Sequence, residues 1–219
     1  DGKKVAFVAR GNVFADFADK ETDRERREGD SFPLTQNTAR QSELVWHPQS
    51  RVLVYVSDRN GEPELYAYDF TTQQERQLTN DGTAKRAPCI APDGTHVAYI
   101  RGADAIWLLN LSTSEQAAFA RGVFIWSSDL AWSPDSQWLA YISLDEQFFS
   151  NVYVQQRDTA TARQITFLSN VEGSDLRWSP DGQYLVFSSG QFRAESQIVR
   201  VDLRPPPPQF READFEKLF

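Results

Sequence analysis

The sequence contains only one cysteine, only two histidines and no methionine in 219 residues. The single cysteine, Cys89, excludes a disulfide within the chain and leaves the redox compartment open. The sequence has no Cys-x-x-Cys pair, no His-Glu-x-x-His motif, no Gly-x-Ser-x-Gly elbow and no glycine-rich phosphate-binding loop. It therefore predicts no catalytic residue, no metal site and no bound cofactor in this chain.

Long apolar runs and basic clusters are also absent. No apolar run approaches the roughly eighteen residues that a membrane-spanning helix requires. The formal net charge is −8, and the lysines and arginines are scattered along the sequence. A nucleic-acid surface normally requires a basic stripe, so we expect neither a nucleic-acid partner nor a membrane span. Both a cytoplasmic and a periplasmic location fit this composition.

One short pattern recurs along the chain, with the form apolar-x-Trp-Ser-Pro-Asp-Gly-x-x-apolar-x-aromatic. The sequence opens within one copy, at Asp1–Phe7, and four further copies follow at Leu44–Tyr55, Pro88–Tyr99, Leu130–Tyr141 and Leu176–Phe187. The prolines of these four copies lie 44, 42 and 46 residues apart, at Pro48, Pro92, Pro134 and Pro180. A period in the forties indicates a repeat architecture.

Each repeat reads as a set of short β-strands. The Pro-Asp-Gly element predicts a turn, because proline presets φ and glycine accepts a positive φ. On either side the apolar residues alternate with the two-residue period of a strand. The second repeat shows four such segments, at Leu44–Trp46, Val52–Ser57, Glu64–Asp69 and Glu75–Thr79. Four strands per repeat predict a β-propeller blade.

The strand pattern ends at Leu203. We therefore assign residues 1–203 to one all-β propeller of four-stranded antiparallel blades. About five blades are visible, of which the first lacks an innermost strand and the last an outermost one, and the complete ring would have six or seven. Residues 204–219 begin with four prolines and continue with helix formers, which predicts a linker and the start of a helix that leads to a following domain. We expect this sequence to be part of a longer protein.

Several segments resemble a known family. The Trp-Ser-Pro-Asp-Gly units, Leu65–Asp69 and Arg76–Thr79 resemble the blades of TolB-type propellers, which also occur in tricorn protease and prolyl oligopeptidases. The opening Gly2–Phe14 and the exit through Val201–Arg204 resemble more particularly the propeller of tricorn-type proteases, relatives of the tail-specific serine peptidases. The resemblance covers nearly all of residues 1–203.

The resemblance implies a non-catalytic propeller in a serine peptidase. Such a domain would admit or orient peptides, or contact a protein partner, while downstream domains of the same chain hydrolyse the substrate. No peptidase residue can be assigned within this segment. A free-standing TolB-like interaction scaffold and the propeller of a prolyl-oligopeptidase-type enzyme are the alternatives.

Three carboxylates share one repeat position. Glu43, Asp129 and Asp175 each stand directly after a serine and three residues before a repeat tryptophan. Because equivalent positions in a propeller form a ring, we expect these side chains near one rim of the central channel. Two interpretations stay open: an acidic rim that attracts peptide amino termini or a cation, and Ser-Asp turns that cap the inner strands.

Other distinctive side chains are expected to be structural. The tryptophans at the shared position predict packing between blades rather than stacking on a peptide, since each buries a large apolar area. His47 and His96 occupy ordinary repeat positions. Cys89 is expected on an innermost strand, as a small buried or channel-facing thiol.

Overall fold

The blades are built from consecutive strands. The computed structural model describes residues 2–18, 31–35, 38–122, 129–191 and 195–204. Within these ranges the chain forms eighteen strands and no helix, arranged in five antiparallel sheets. Each sheet takes its strands in sequence order, which confirms the all-β propeller. From residue 205 onwards, the predicted linker and helix lie outside the described residues.

The five sheets follow one another along the chain. The first contains β1 (Lys4–Ala9), β2 (Asn12–Phe17) and β3 (Phe32–Pro33). The second contains β4 (Gln41–Trp46), β5 (Val52–Ser57), β6 (Glu64–Asp69) and β7 (Gln74–Gln77), and the third contains β8 (Lys85–Ile90), β9 (His96–Arg101), β10 (Ala105–Asn110) and β11 (Gln116–Arg121). The fourth contains β12 (Leu130–Trp132), β13 (Trp138–Leu144), β14 (Ser150–Gln156) and β15 (Ala162–Gln164), and the fifth contains β16 (Asn170–Trp178), β17 (Tyr184–Gln191) and β18 (Gln197–Asp202). Three sheets are thus four-stranded, whereas the first and last have three strands. A ring of six or seven blades stays a prediction.

The first two strands of each repeat pair in one register. The tryptophan position lies opposite the first apolar residue after the turn, in the pairs Trp46–Leu53, Ile90–Val97, Trp132–Leu139 and Trp178–Leu185. The innermost strands β4, β8, β12 and β16 also contact one another in succession. The repeated pattern therefore places equivalent positions at the same height in these four sheets.

Side-chain hydrogen bonds close the turns between these strands. Ser179 Oγ donates to Asp181 Oδ1 at 2.6 Å and accepts the Tyr184 N–H at 3.0 Å. The third turn residue, Gly182, has a φ of +69° and donates its N–H to the Ser179 carbonyl at 2.9 Å. Its equivalents Ser50, Gly94 and Ser136 also have positive φ. Glycine recurs at this position because it adopts that conformation at little cost.

A threonine lies two residues after the end of the outer strand in three blades. The Oγ1 atoms of these threonines accept an N–H from the third strand of their own repeat, over 2.8–2.9 Å, in the pairs Thr35–Val13, Thr79–Leu65 and Thr166–Val152. The threonines are buried. The segment that crosses to the following blade is therefore held by a side-chain hydrogen bond. This bond satisfies a backbone N–H group of the third strand.

The crossing from the second to the third blade contains a buried ion pair. Lys85 and Glu64 are 1% and 2% exposed, and Nζ lies 2.9 Å from Oε2. Glu64 Oε1 also accepts the N–H groups of Asp81 and Gly82 at 3.0 and 2.9 Å. Asp81 Oδ1 lies 2.5 Å from the same ammonium, and its Oδ2 lies 3.0 Å from Nε of Arg101. Such a pair is tolerated in the interior because its charges are hydrogen-bonded to one another.

The repeat tryptophans join consecutive blades. Trp132 is 6% exposed and packs in one cluster with Ala87 and Ile100 of the preceding blade. Its Nε1–H donates to the Cys89 carbonyl at 3.0 Å, and that of Trp178 donates to the Ala131 carbonyl at 2.9 Å. Each of these indoles thus bonds to the preceding inner strand, directly before the tryptophan position. Packing between blades is the role expected from the sequence.

Removing Trp132 tests this packing. We expect Trp132→Ala to lower the free energy of unfolding by roughly 3–5 kcal/mol, because it leaves a large cavity between two blades. Phe167→Ala, at a side chain that is 80% exposed, serves as the control and should change stability by less than about 0.5 kcal/mol. Urea unfolding of both variants gives the comparison. Equal midpoints for Trp132→Ala and the parent would place this indole outside the core.

Acid unfolding tests the crossing. Burial raises the pKa of Asp81, but hydrogen bonds from Lys85 and the Thr83 N–H, together with the charges of Lys85 and Arg101, bring it below its ordinary value. A carboxyl group with a lowered folded-state pKa stabilises the fold above its unfolded pKa, near 3.9, and this contribution is lost as the pH falls through the folded value. We therefore expect Asp81→Asn to be less stable at pH 7 and to lose less stability between about pH 5 and pH 2. Asp104→Asn, on an exposed turn, is the control. Identical acid limbs for Asp81→Asn and the parent would contradict the assignment.

Candidate functional site

An open cavity of about 630 Å³ lies where the inner strands converge. The residue before each tryptophan position lines it in all four repeats that have an inner strand: Val45, Cys89, Ala131 and Arg177. Trp132, Trp178 and the turn prolines 92, 134 and 180 add apolar surface. Two charged residues, Asp129 and Arg177, belong to the same lining. The cavity is therefore an apolar surface with charge of both signs at the propeller axis.

Two of the predicted carboxylates occupy β-bulges. Glu43 and Asp175 have φ values of 55° and 58°, and Ala87 at the same position of the third blade has 54°. The pairing register shifts at each of these points. A non-glycine residue in the left-handed region costs about 1–2 kcal/mol. The recurrence of this conformation at one repeat position shows that the bulge is a regular feature of these three blades. The side chains of Glu43 and Asp175 are exposed at their bulges.

The bulges at Ala87 and Asp175 each receive a carboxylate from the preceding blade. Asp129 Oδ2 accepts the Asp175 N–H at 3.0 Å, and Glu43 Oε2 accepts the Ala87 N–H. The Ser174 hydroxyl donates to Asp175 Oδ2 at 3.0 Å. The structure thus brings Asp129 of the fourth sheet and Asp175 of the fifth sheet together. It places Glu43 of the second sheet against Ala87 of the third sheet, away from the other two carboxylates. These contacts cap backbone N–H groups, and of the three carboxylates Asp129 also lines the cavity. The acidic rim stays a prediction.

Arginines lie next to these carboxylates. Arg177 Nη1 is 4.0 Å from Asp129 Oδ1, and the Arg177 side chain is 66% exposed. Burial lowers the pKa of Arg86, while the nearby Glu43 raises it. Sequence reasoning missed Arg177 as a cavity residue. The available signal was its position, since the other three repeats carry the small residues valine, cysteine and alanine before the tryptophan position.

Cys89 is half-buried in the cavity wall. Burial raises the pKa of its thiol to about 11, although a hydrogen bond from the Trp132 backbone N–H and the charge of Arg177 lower it. A thiol with this pKa is protonated near neutral pH and is a poor nucleophile. Its placement on the innermost strand β8 is the one expected from the sequence.

The two histidines connect turns. His47 Nε2 lies 3.0 Å from the Gly94 carbonyl, and Nδ1 accepts the Gln49 N–H at 3.2 Å, which requires the neutral Nε2–H tautomer. A Cβ atom added at Gly94 would lie 2.4 Å from His47 Nε2, so a side chain there would displace the His47 ring. Burial and Arg157 lower the pKa of His96, whose Nδ1 lies 2.6 Å from Thr95 Oγ1. Both rings are held in the positions of structural residues.

Among the described residues, no three His, Cys, Asp or Glu side chains converge to hold a metal ion. In the same ranges, no helix has the length and apolar character needed to cross a membrane.

Comparison with known proteins shows what the chain is similar to. No protein-family model matches it. The TolB homolog of Chlorobaculum tepidum is 29% identical over 118 residues, which cover 52% of this chain and 26% of the relative. The TolB homolog of Chlorobium luteolum is 27% identical over 118 residues, with the same coverage. The match therefore spans about a quarter of the length of these curated relatives.

Solved structures share the architecture at low identity. TolB from Acinetobacter baumannii has a TM-score of 0.69 and 17% identity, over 92% of this chain and 50% of that chain. Tricorn protease has a TM-score of 0.71 and 15% identity, over 95% of this chain and 21% of that chain. A prolyl endopeptidase has a TM-score of 0.56 and 15% identity, over 75% of this chain and 28% of that chain. The chain therefore has the fold of a TolB-like β-propeller.

Proposed function

We propose that this chain is the non-catalytic propeller of a tricorn-type serine peptidase, and that its axial cavity admits or orients peptides. The observation that carries this proposal is the cavity itself, in which equivalent residues of four inner strands form an apolar wall beside charges of both signs. The structural likeness to tricorn protease is consistent with this role. The peptide bond would be cleaved by other domains of the longer protein.

The chemistry of the lining suits an extended peptide. Trp132, Trp178 and the turn prolines offer flat apolar contacts for peptide side chains. The exposed guanidinium of Arg177 suits a carboxylate, such as a peptide carboxyl terminus or an acidic side chain. Asp129 and Asp175 place negative charge nearby, which suits an amino terminus or a lysine. A cavity of about 630 Å³ lies within the range of small-ligand sites, so it would hold a few peptide residues rather than a folded domain.

A second candidate is a TolB-like scaffold whose cavity binds a segment of a protein partner. The sequence similarity to two TolB homologs favours it. The propeller of a prolyl-oligopeptidase-type enzyme is a third alternative, supported by structural likeness. The reading frame beyond residue 219 separates the three. A PDZ-like segment with a peptidase domain supports the first, a nearby stop codon the second, and a Gly-x-Ser-x-Gly elbow the third.

The carboxylates give the sharpest test of peptide capture. We expect a Glu43→Gln, Asp129→Asn, Asp175→Asn triple variant to bind a lysine-rich decapeptide several-fold more weakly at about 20 mM salt. The difference should vanish near 1 M salt, where the Debye length is about 3 Å. Stability should change little, because the amide oxygens of the new side chains still accept the N–H groups of Ala87 and Asp175. Fluorescence anisotropy of the labelled peptide gives the affinity, and urea unfolding gives the stability.

Two controls separate charge from capping. A Glu43→Ala, Asp129→Ala double variant removes the acceptors and should lose roughly 1 kcal/mol or more for each cap. Arg177→Gln should weaken binding of an acidic decapeptide and leave the lysine-rich peptide bound at least as tightly. Neither peptide should be hydrolysed. Unchanged association of the triple variant together with a collapse of its stability would assign the carboxylates to strand capping alone. Turnover that disappears on mutation of this chain would show a catalytic domain instead.

A further inference from the structure

The turn after each inner strand contacts the following blade, and the contact is best defined between the third and fourth sheets. There the Asp93 N–H donates to Ser136 Oγ at 2.9 Å. Arg157, directly after β14, reaches back to Asp93, with Nη1 3.2 Å from Oδ2, and its side chain is only 20% exposed. One aspartate thus binds a hydroxyl and a guanidinium of the next blade.

Between the second and third sheets, a histidine ring takes up the corresponding space. His47 Nε2 lies 3.0 Å from the Gly94 carbonyl. A Cβ atom added at Gly94 would come within 2.4 Å of this ring nitrogen. The two junctions are therefore filled in different ways, each by side chains of the chain itself.

The junction between the fourth and fifth sheets has neither filling. By the repeat, Gly182 stands at the position of Ser136 and Leu203 at the position of Arg157. Leu203 and Arg157 each donate their N–H to the equivalent carbonyl of their own blade, which confirms this alignment. The hydroxyl and the guanidinium that Asp93 binds thus have no counterpart here.

Asp135, the equivalent of Asp93, keeps only contacts within its own turn. Its Oδ1 accepts the Ser133 hydroxyl at 2.5 Å and the Gln137 N–H at 3.0 Å. In the part of the chain that the structure describes, its Oδ2 has no cationic partner and its backbone N–H has no acceptor. A Cβ atom added at Gly182 would lie 3.6 Å from Pro134 Cδ, an ordinary contact distance, so the place of the missing side chain is open.

A cleft of about 530 Å³ lies at this junction. Its charged residues are Asp135 and Asp181, on turns next to the inner strands, and the exposed Arg163 and Arg204, on the outer strand β15 and after β18. Its apolar walls are formed by Trp138, Val154, Ile165, Trp178 and Leu203. The volume lies within the range of small-ligand sites. The cleft is therefore acidic near the axis, basic at the periphery and apolar between.

We propose that this cleft binds an arginine side chain of an extended peptide, in the place that Arg157 takes at the preceding junction. The guanidinium pairs with Asp135 Oδ2, as that of Arg157 pairs with Asp93. A peptide carbonyl accepts the Asp135 N–H, in the role that Ser136 Oγ has for Asp93. The alkyl stem lies along the apolar walls, and an indole face suits the flat guanidinium.

This site is separate from the one in the proposed function. The cleft shares Pro134 and Trp178 with the axial cavity, but the two have different charged residues. Asp129 and Arg177 belong to the axial cavity, whereas Asp135 belongs to the cleft. Substitutions of these charged residues can therefore test the two sites independently.

A blocked tripeptide, acetyl-Gly-Arg-Gly-amide, tests the proposal on the 219-residue chain at about 150 mM salt. We expect saturable one-to-one binding in the low millimolar range, followed by the Nε1–H resonance of Trp138, which is assigned with Trp138→Phe. The citrulline analogue has nearly the same shape without the charge and should bind at least ten-fold more weakly. The lysine analogue should bind several-fold more weakly, because an ammonium cannot form the bidentate pair.

Variants of the chain locate the bound arginine. Asp135→Asn should weaken binding at least ten-fold. A Gly182→Ser, Leu203→Arg double variant copies the preceding junction and should abolish binding, because the chain then supplies its own hydroxyl and guanidinium. Adding Asp135→Asn to this double variant should lower its unfolding midpoint, whereas Asp135→Asn alone should change stability little. If the double variant is not folded, Asp135→Asn and the citrulline peptide decide.

The triple variant of Glu43, Asp129 and Asp175 is the control in the axial cavity. It should bind the arginine tripeptide as the parent does, even though it binds the lysine-rich decapeptide more weakly. A failure of the proposed function would appear in the decapeptide alone, and a failure of the cleft in the tripeptide alone.

Four results would overturn the proposal. The first is no binding up to about 20 mM tripeptide, and the second is equal binding of the citrulline analogue. The third is binding that the triple variant abolishes and Asp135→Asn does not, which would place the peptide in the axial cavity. The fourth is binding at least ten-fold tighter in Arg211→Gln, which would identify an arginine of this chain as the occupant.

Discussion

The contact on which the structure depends is the hydrogen bond from a tryptophan indole to the preceding inner strand. A buried indole contributes a large apolar area and has one donor to satisfy. Trp132 and Trp178 satisfy theirs with the carbonyls of Cys89 and Ala131. These two bonds tie the fourth blade to the third and the fifth blade to the fourth, whereas Ile90 takes the tryptophan position in the third blade. The same two indoles line the axial cavity.

The bulges link this architecture to the candidate site. The left-handed backbone conformation of Glu43 and Asp175 interrupts the strand pairing and leaves each carboxylate exposed to solvent. The same position leaves an N–H group that a neighbouring carboxylate caps, as Asp129 does for Asp175. Asp129 therefore both caps a backbone N–H group and lines the cavity. Arg177 makes the surface one of mixed charge rather than a purely acidic one.

Local turn chemistry is the reason that most of the fold could be predicted from the sequence. The strands Val52–Ser57 and Glu64–Asp69 have the predicted bounds, because alternation and Asn-Gly or Pro-Asp-Gly turns are visible within a few residues. The inner strand predicted at Leu44–Trp46 begins earlier, at Gln41, since the bulge at Glu43 interrupts the two-residue period. Contacts between blades have no local signal. The sequence around Lys85 and Glu64 gives no local sign of burial, and the crossing of two blades buries them together.

Hydrogen exchange of the tryptophan indole protons in the free chain tests the central claim most directly. Assigned by single Trp→Phe variants, the Nε1–H resonances of Trp132 and Trp178 should exchange slowly, because both bond to buried backbone carbonyls. The resonance of Trp46, whose ring stacks on Phe70 and whose Nε1–H has no acceptor among the described residues, should exchange at least ten-fold faster. Fast exchange of Trp132 and Trp178, at the rate of Trp46, would contradict the account, since the blades would then not be joined through their indoles.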